Sequence, residues 1–385
     1  MKKKDKFKTV GQELKLRNIT INDLEDIHDF QTSKKSTTKP VKKPLDKGEI
    51  SLKANMKLVK SKVIEIMANN TYRVQLHESG ENNQSSKDSI INIKAQKNSI
   101  LESQEKSIKT CFLSGRLKYL DHVTRNPISI GDIVNVDVTD LENIRIEEIY
   151  ERKNSISRYI ERTKKEVTLA SNIDQVVIVA SVKDPDLNTG LIDRYICALE
   201  IANISCIICI NKIDLVSNLD FIKNECEYYK SSGYDIVFLS TLNNKGISEL
   251  REMLVNKETV FTGHSGTGKS SIINTLEPTI NLKVSQTSLL NKKGIHTTSY
   301  SRMIPWGFGG FLIDTPGIKT MGLRKEDKTR LPACFPGFLA FSRYCSFANC
   351  SHTQETGCAV IKNVGTAIPI ERYNSYVRIL KSVSR

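Results

Sequence analysis

Residues 261–270 read Phe-Thr-Gly-His-Ser-Gly-Thr-Gly-Lys-Ser, and no other stretch constrains the fold as much. Val260 and Phe261 close an apolar run of strand character. Gly263, Gly268, Lys269 and Ser270 then match the phosphate-loop spacing G-x-x-x-x-G-K-[ST], and Ser271–Leu276 opens a helix. The order has a physical reason. Glycines let backbone amides close around a phosphate chain, and the helix start adds the positive end of its dipole. Gly263, His264, Ser265, Gly266, Thr267, Gly268, Lys269, Ser270 and Ser271 are therefore the expected phosphate-binding residues. Lys269, reaching the β- and γ-phosphates, is also a candidate catalytic residue, and the Ser270 hydroxyl is a candidate Mg²⁺ ligand. A phosphate loop selects a triphosphate but no particular base.

The base is addressed upstream. Apolar strands alternate with helical stretches from residue 174 onward, which predicts an α/β layer with a parallel sheet. A buried strand over 174–181, a helix over 191–200 and a strand over 205–210 lead into Asn211-Lys212-Ile213-Asp214. Asn-Lys-x-Asp at a strand end reads guanine, because a carboxylate there accepts hydrogen bonds from N1–H and the exocyclic amine, which adenine cannot offer. Asp214 takes that role, Asn211 braces neighbouring loops and the Lys212 stem lies along the base. A further strand over 236–239 runs into Ser240 and Thr241, where backbone amides meet the guanine carbonyl.

Downstream of the phosphate loop, a strand over 310–313 ends in Asp314-Thr315-Pro316-Gly317. Asp314 would hold Mg²⁺ through a water, and the Gly317 amide would sense the γ-phosphate. The intervening segment 293–298 has the polar character of a switch loop, with Thr297 or Thr298 as a second hydroxyl ligand of Mg²⁺. Ile318 stands where a glutamine would orient the attacking water, so unaided hydrolysis is expected to be slow and His296 is the candidate catalytic group. The guanine motif precedes the phosphate loop, whereas a Ras-like chain has it last. The domain is circularly permuted, and the site still assembles because every motif sits at a strand end.

Flanking regions differ in kind. Residues 1–50 are lysine-rich and too polar to bury a core, so they read as a basic, disordered extension. Residues 51–150 show about five short β segments with glycine breaks, suited to a small OB-like barrel. They include a hairpin around Asn69-Asn70 and a polar insertion at 79–107. The charged run 151–165 is expected to be a linker that opens the GTPase domain (151–322). In 323–385, Cys345, Cys350, His352 and Cys358 follow the pattern C-x4-C-x-H-x5-C. Such a Cys₃His set can close a tetrahedral Zn²⁺ shell, which makes the ion structural; Cys334 lies outside it.

Charge and cysteine usage narrow the partners. A formal net charge of +14 points to a polyanion, nucleic acid before membrane, since no apolar run approaches the roughly 20 residues of a bilayer span. From 319 onward there are eleven Lys and Arg against four Asp and Glu, which concentrates basic charge beside the switch region. Nine cysteines without a secretion signal suit reduced thiols and a cytoplasmic protein.

With these motifs in this order, the chain resembles the RsgA (YjeQ) family of circularly permuted GTPases. The residues that carry the resemblance include Leu191-Ile192-Asp193-Arg194-Tyr195, Asn211-Lys212-Ile213-Asp214-Leu215, the loop 263–271, Gly294 with His296-Thr297-Thr298, Asp314-Thr315-Pro316-Gly317 and the Cys/His cluster. The resemblance implies an OB-fold, a permuted GTPase domain and a carboxy-terminal zinc domain. It also implies a role in late maturation of the small ribosomal subunit, contacts to its rRNA, subunit-stimulated hydrolysis of GTP to GDP and phosphate, and release after hydrolysis. A monomer is expected. Two rivals are a GTP-locked RNA-binding module without turnover and an ATP-dependent kinase or motor; Asn211-Lys212-Ile213-Asp214 argues against the second.

Overall fold

The computed structural model describes residues 56–67, 70–76, 107–115, 117, 127–160, 165–280, 301–315 and 323–383. The extension at 1–50 and the insertion at 79–106 lie outside the described residues, as do His296, Thr297, Thr298, Gly317 and Ile318.

Leu58–Arg385 form one compact unit, which begins with five strands: β1 (Leu58–Met67), β2 (Thr71–Leu76), β3 (Ile108–Leu113), β4 (Ile133–Asp137) and β5 (Arg145–Ile149). Alternate residues turn inward, so Tyr72 and Val74, Cys111 and Leu113, and Val134 and Val136 are buried, the period-two signature of a strand with one apolar face. β1 pairs antiparallel with β2 down to Met67↔Thr71, and Asn70 turns the hairpin at φ 54°. β1 also pairs with β4, from Leu58↔Asp137 to Lys62↔Ile133. β2–β3 and β4–β5 are antiparallel and β3–β5 parallel, so the order β1-β2-β3-β5-β4 returns to β1 and closes the expected barrel. An irregularity between Val63 and Glu65 bends β1, as a bulge does, and lets one long strand serve several neighbours.

The charged run at 151–165 is not a linker. Ser155–Ile160 form β6, paired antiparallel with β7 (Lys165–Ser171) from Ser155↔Ser171 to Ile160↔Lys165. The reason is a buried polar network that composition does not reveal. Asp132, fully buried, accepts from Arg152 Nε at 2.7 Å, Arg152 Nη2 at 2.8 Å, Ser171 Oγ at 2.6 Å and Ser129 N at 2.7 Å. Asn154 adds bonds to the backbone N–H and C=O of Ile173. The charge of Arg152 thus satisfies a carboxylate of the barrel, and the hairpin is welded to it.

Next come β8 (Gln175–Ser181), α1 (Thr189–Ala202), β9 (Ser205–Asn211), α2 (Asp220–Ser231), β10 (Asp235–Phe238), α3 (Ile247–Leu254), β11 (Lys257–Gly263), α4 (Lys269–Leu276), β12 (Ser301–Pro305) and β13 (Gly310–Asp314). β10-β9-β8-β11-β13 are parallel neighbours. Their apolar runs feed both faces: Val176 and Ile178 pack with Ile196 and Leu199 of α1 and Tyr229 of α2, while Val177 and Val179 pack with Leu250 of α3 and Ile272 of α4. β12, which sequence reasoning did not assign, runs antiparallel to β13 and pairs on its other side with β1 through Glu65↔Arg302 and Ile66↔Ser301. Barrel and α/β layer therefore share one eleven-stranded sheet.

The carboxy-terminal part is built from a 3-10 turn at Lys325–Thr329 and the helices α5 (Leu331–Cys334), α6 (Leu339–Ser342), α7 (Ala359–Lys362) and α8 (Ile370–Val383). Its small core of Phe335, Phe338, Tyr376 and Leu380 includes Cys197 of α1, so the module shares its interior with the α/β layer. Tyr228 Oη donates to Pro336 O at 2.7 Å and Arg330 Nη2 to Ile201 O at 2.9 Å. No described helix is long and apolar enough to cross a membrane.

Removing Arg152 strands the buried Asp132 charge, and breaking such a pair costs about 3–5 kcal/mol. Arg152→Ala should lower the urea midpoint strongly. Arg73→Ala, which breaks the exposed Arg73–Glu65 pair, should change stability by about 1 kcal/mol or less.

Candidate functional site

Parallel strands bring their carboxyl ends to one edge of the sheet, where ligands of open α/β layers bind. Register puts Asn211 beside Ser181 and Gly263 beside Val179. β13, paired to β11 through Val260↔Ile313, delivers Asp314 to the same edge. The described nucleotide motifs predicted from sequence therefore lie on one rim, although they are scattered over more than a hundred residues.

The phosphate loop adopts the conformation its glycines permit. Gly263 has φ 133°, Gly266 84° and Gly268 91°. A Cβ on Gly263 would collide with the Val179 carbonyl oxygen, and one on Gly268 with the Asn211 side-chain amide. Lys269 Nζ donates to the carbonyls of Gly263 at 2.9 Å and His264 at 2.5 Å, so the loop wraps around a positive charge. Thr267 Oγ1 donates to His264 O at 3.0 Å. Ser270 and Ser271 follow in the half-buried first turn of α4.

The guanine motif is tied to this loop. Asn211 Nδ2 donates to Thr267 O at 2.9 Å, which ties the end of β9 to the loop after β11. Lys212, at φ 63°, donates from Nζ to Asp184 O. Asp214 Oδ1 accepts from Ser240 Oγ at 2.5 Å, and Asn243 N donates to the same hydroxyl at 3.2 Å. Ser240 is fully buried and holds the Asp214 carboxylate in place, with Thr241 next in the chain. Burial pushes the Asp314 carboxyl up from its ordinary value, and Arg302, 3.9 Å away, offsets part of that.

Sequence reasoning missed the loop between β8 and α1, whose Asp184 carbonyl receives Lys212 and whose Pro185 lies against Gly266. A main-chain acceptor carries no residue signature, so nothing in the sequence could have marked it.

The second constellation is the Cys/His cluster. The ligand atoms of Cys345, Cys350, His352 and Cys358 all lie within 4.8 Å of one another, and Cys334 is not among them. Cys345 Sγ lies 3.9 Å from Cys358 Sγ and 3.6 Å from His352 Nδ1, which is 3.4 Å from Cys358 Sγ. A tetrahedron with ordinary Zn–S and Zn–N lengths has edges of about 3.8 and 3.6 Å, so the group could hold a metal ion. Backbone N–H groups of Ala359 and Ile361 point at the sulfurs of Cys345 and Cys358 at 3.3 and 3.4 Å. Burial holds His352 below its ordinary pKa against the pull of Glu355, which favours the neutral, ligating imidazole. Glu355 was not expected to matter. Its carboxylate accepts from the N–H groups of Ser351 at 2.6 Å, Thr353 at 3.0 Å and Gln354 at 3.2 Å. Burial alone would raise its pKa, but hydrogen bonds from the Ser351 side chain and from the backbone N–H groups of Ser351, Glu355 and Thr353 hold it far below the usual carboxylate range.

Comparison with known proteins agrees with this geometry. A family model described as RsgA GTPase matches residues 149–324. The small ribosomal subunit biogenesis GTPase RsgA of Flavobacterium johnsoniae is 35% identical over 288 residues, covering 73% of this chain and 89% of the relative. That of Bacteroides fragilis (strain ATCC 25285) is 34% identical over 285 residues, covering 73% and 92%. Among solved structures, YjeQ from Thermotoga maritima superimposes with a TM-score of 0.61 at 26% identity over 85% of this chain and 99% of its own. YloQ, a circularly permuted GTPase, gives 0.60 at 25% identity over 85% and 95%. A permuted motif order, an OB-like barrel on a parallel-sheet nucleotide rim and this level of identity lead to one conclusion: the chain belongs to the RsgA family of circularly permuted GTPases and is a GTP-hydrolysing enzyme.

Proposed function

We propose that the chain binds GTP on the strand-end rim, acts on the small ribosomal subunit and its rRNA late in maturation, and couples hydrolysis to release. The observation that carries the guanine assignment is the Asp214 carboxylate, held by buried Ser240 at the end of β9 and tied through Asn211 to the phosphate loop. Gly263 to Ser271 take the phosphates, and Asn211, Lys212, Asp214, Ser240 and Thr241 take the base. Gly317 contacts the γ-phosphate. Ser270 and Asp314, with Thr297 or Thr298, hold Mg²⁺; both described residues offer hydroxyl or carboxylate oxygens, the donors this hard cation prefers. When bound, the ion neutralises charge on the β- and γ-phosphate oxygens. The relatives carry the subunit in their names, and the basic carboxy-terminal region supplies charge for a polyanionic partner.

The domain layout of this reading is a basic extension (1–50), a barrel (51–150), the permuted GTPase domain (151–322) and a zinc-binding domain (323–385), working as a cytoplasmic monomer. Mixed with purified subunits, the protein should hydrolyse GTP faster with small than with large subunits, and GTP but not ATP should compete for the site. Equal rates with and without small subunits count against stimulated turnover. His296→Ala should lower the stimulated rate while GTP affinity stays at the wild-type value; an unchanged rate removes His296 from the mechanism.

Cys345, Cys350, His352 and Cys358 suit one structural Zn²⁺, on the edge lengths given above. Glu355 orients the loop that carries His352, and loss of such an outer partner typically costs about 10–100-fold in metal affinity. Glu355→Ala should lose zinc to a chelator at correspondingly lower concentration, measured as metal release with a colorimetric dye.

A further inference from the structure

The carboxy-terminal module is fastened to the α/β layer by a charge pair inside the protein. Asp193 of α1 is fully buried and Arg372 of α8 is 7% exposed. Arg372 Nη1 donates to Asp193 Oδ2 at 2.7 Å and to Tyr229 Oη at 2.6 Å, and Tyr229 Oη donates to Asp193 Oδ1 at 2.7 Å. Desolvation makes a buried pair a poor source of net stability; what this one supplies is placement. The second guanidinium nitrogen, Nη2, donates to Thr189 Oγ1, and Thr189 is the first residue of α1.

The segment just before Thr189 is pinned at each end. Asn188 caps the helix by accepting from Leu191 N at 3.0 Å, and Ser181 Oγ donates to Pro185 O at 2.7 Å. Between these points the segment touches both halves of the nucleotide site. Asp184 O accepts from Lys212 Nζ, and Pro185 Cδ lies 3.5 Å from where a Cβ on Gly266 would stand. An open cleft lies between Asn188 and Leu191 on one side and Gly263, His264 and Thr267 on the other, so the segment meets the phosphate loop at Pro185 rather than along a packed face. Its placement therefore depends on its anchors. α8 also holds the Cys/His cluster, since Tyr373 Oη donates to His352 O at 2.9 Å and Tyr376 Oη to Ser351 O at 2.5 Å.

We infer that Thr189 and Arg372 are positioning residues for the guanine-nucleotide site. Through their hydrogen bond, α8 sets the 182–188 segment against Lys212 and Gly266 and so raises nucleotide affinity. The inference rests on the reading of the rim as a GTP site. By linkage, a partner that shifts α8 changes nucleotide affinity, and bound nucleotide changes affinity for that partner by the same factor.

Thr189→Val removes the hydroxyl and keeps the shape, leaving the Asp193–Arg372 pair intact, so it avoids the misfolding risk of changing Arg372. Titration of the full-length protein with N-methylanthraniloyl-GDP should give a Kd raised about tenfold, in line with loss of one hydrogen bond to a charged group. Thr189→Ser should return it to the wild-type value. A purely structural role would lower the thermal midpoint of the nucleotide-free protein and leave Kd unchanged, and an unchanged Kd overturns the inference whatever the midpoint. A wild-type protein that bound no GDP would instead overturn the reading of the site, and this inference with it.

Discussion

One side-chain amide joins the two halves of the nucleotide rim. Asn211 Nδ2, at the end of β9, spans 2.9 Å to the carbonyl of Thr267 in the loop after β11, and those strands are separated in the sheet by β8. A buried amide needs its partner, because an unmet donor in the interior costs about 1–3 kcal/mol. The bond therefore sets the distance between the Asn211–Asp214 segment and the glycine loop at 263–268. It also dictates Gly268, whose Cβ would occupy the place of that amide. Lys269, Ser270 and α4 follow from that glycine, and Asp214 follows from the strand that ends in Asn211.

Permutation leaves this arrangement intact because sheet neighbours are chosen by hydrogen bonding and side-chain packing, while chain order only decides which ends are connected. What permutation changes is the surroundings. β12 and β13 come after the phosphate loop, and the chain then enters the carboxy-terminal module, which returns along α1 through Arg372 and through the shared core at Cys197. Elsewhere β12 pairs with β1 of the barrel. Lys62 of β1 forms an ion pair with Glu258 of β11. The GTPase layer is thus held on one side by the barrel and on another by the carboxy-terminal module, and both contacts reach strands or helices with an end at the nucleotide rim.

The rim was legible in the sequence because each of its tasks admits few residues. A backbone that closes on phosphate needs glycine at left-handed positions, and a carboxylate that reads guanine must sit at a strand end. The cluster was legible because thiols and imidazole at that spacing have few other uses. The hairpin at 155–171 was hidden because Arg152 and its charged neighbours resemble a solvated linker until Asp132, twenty residues earlier, is seen to be buried against it. β12 was hidden as well: Ser301–Pro305 is short and half-exposed, and one of its two pairing partners lies more than two hundred residues away in β1.

Taken alone, the sequence determined the chemistry: a triphosphate, guanine, a permuted motif order, a set of cysteines and histidine that could hold a metal ion, and a barrel ahead of them. Those are matters of residue type at short spacing, where side-chain chemistry leaves little choice. Tertiary structure alone decided which pieces brace one another. Arg372 meets Asp193 across 179 positions, and Lys212 finds a main-chain oxygen at Asp184. Such contacts depend on three-dimensional proximity and, for Asp193 and Arg372, on the need to pair a buried charge, and neither leaves a local pattern in the chain.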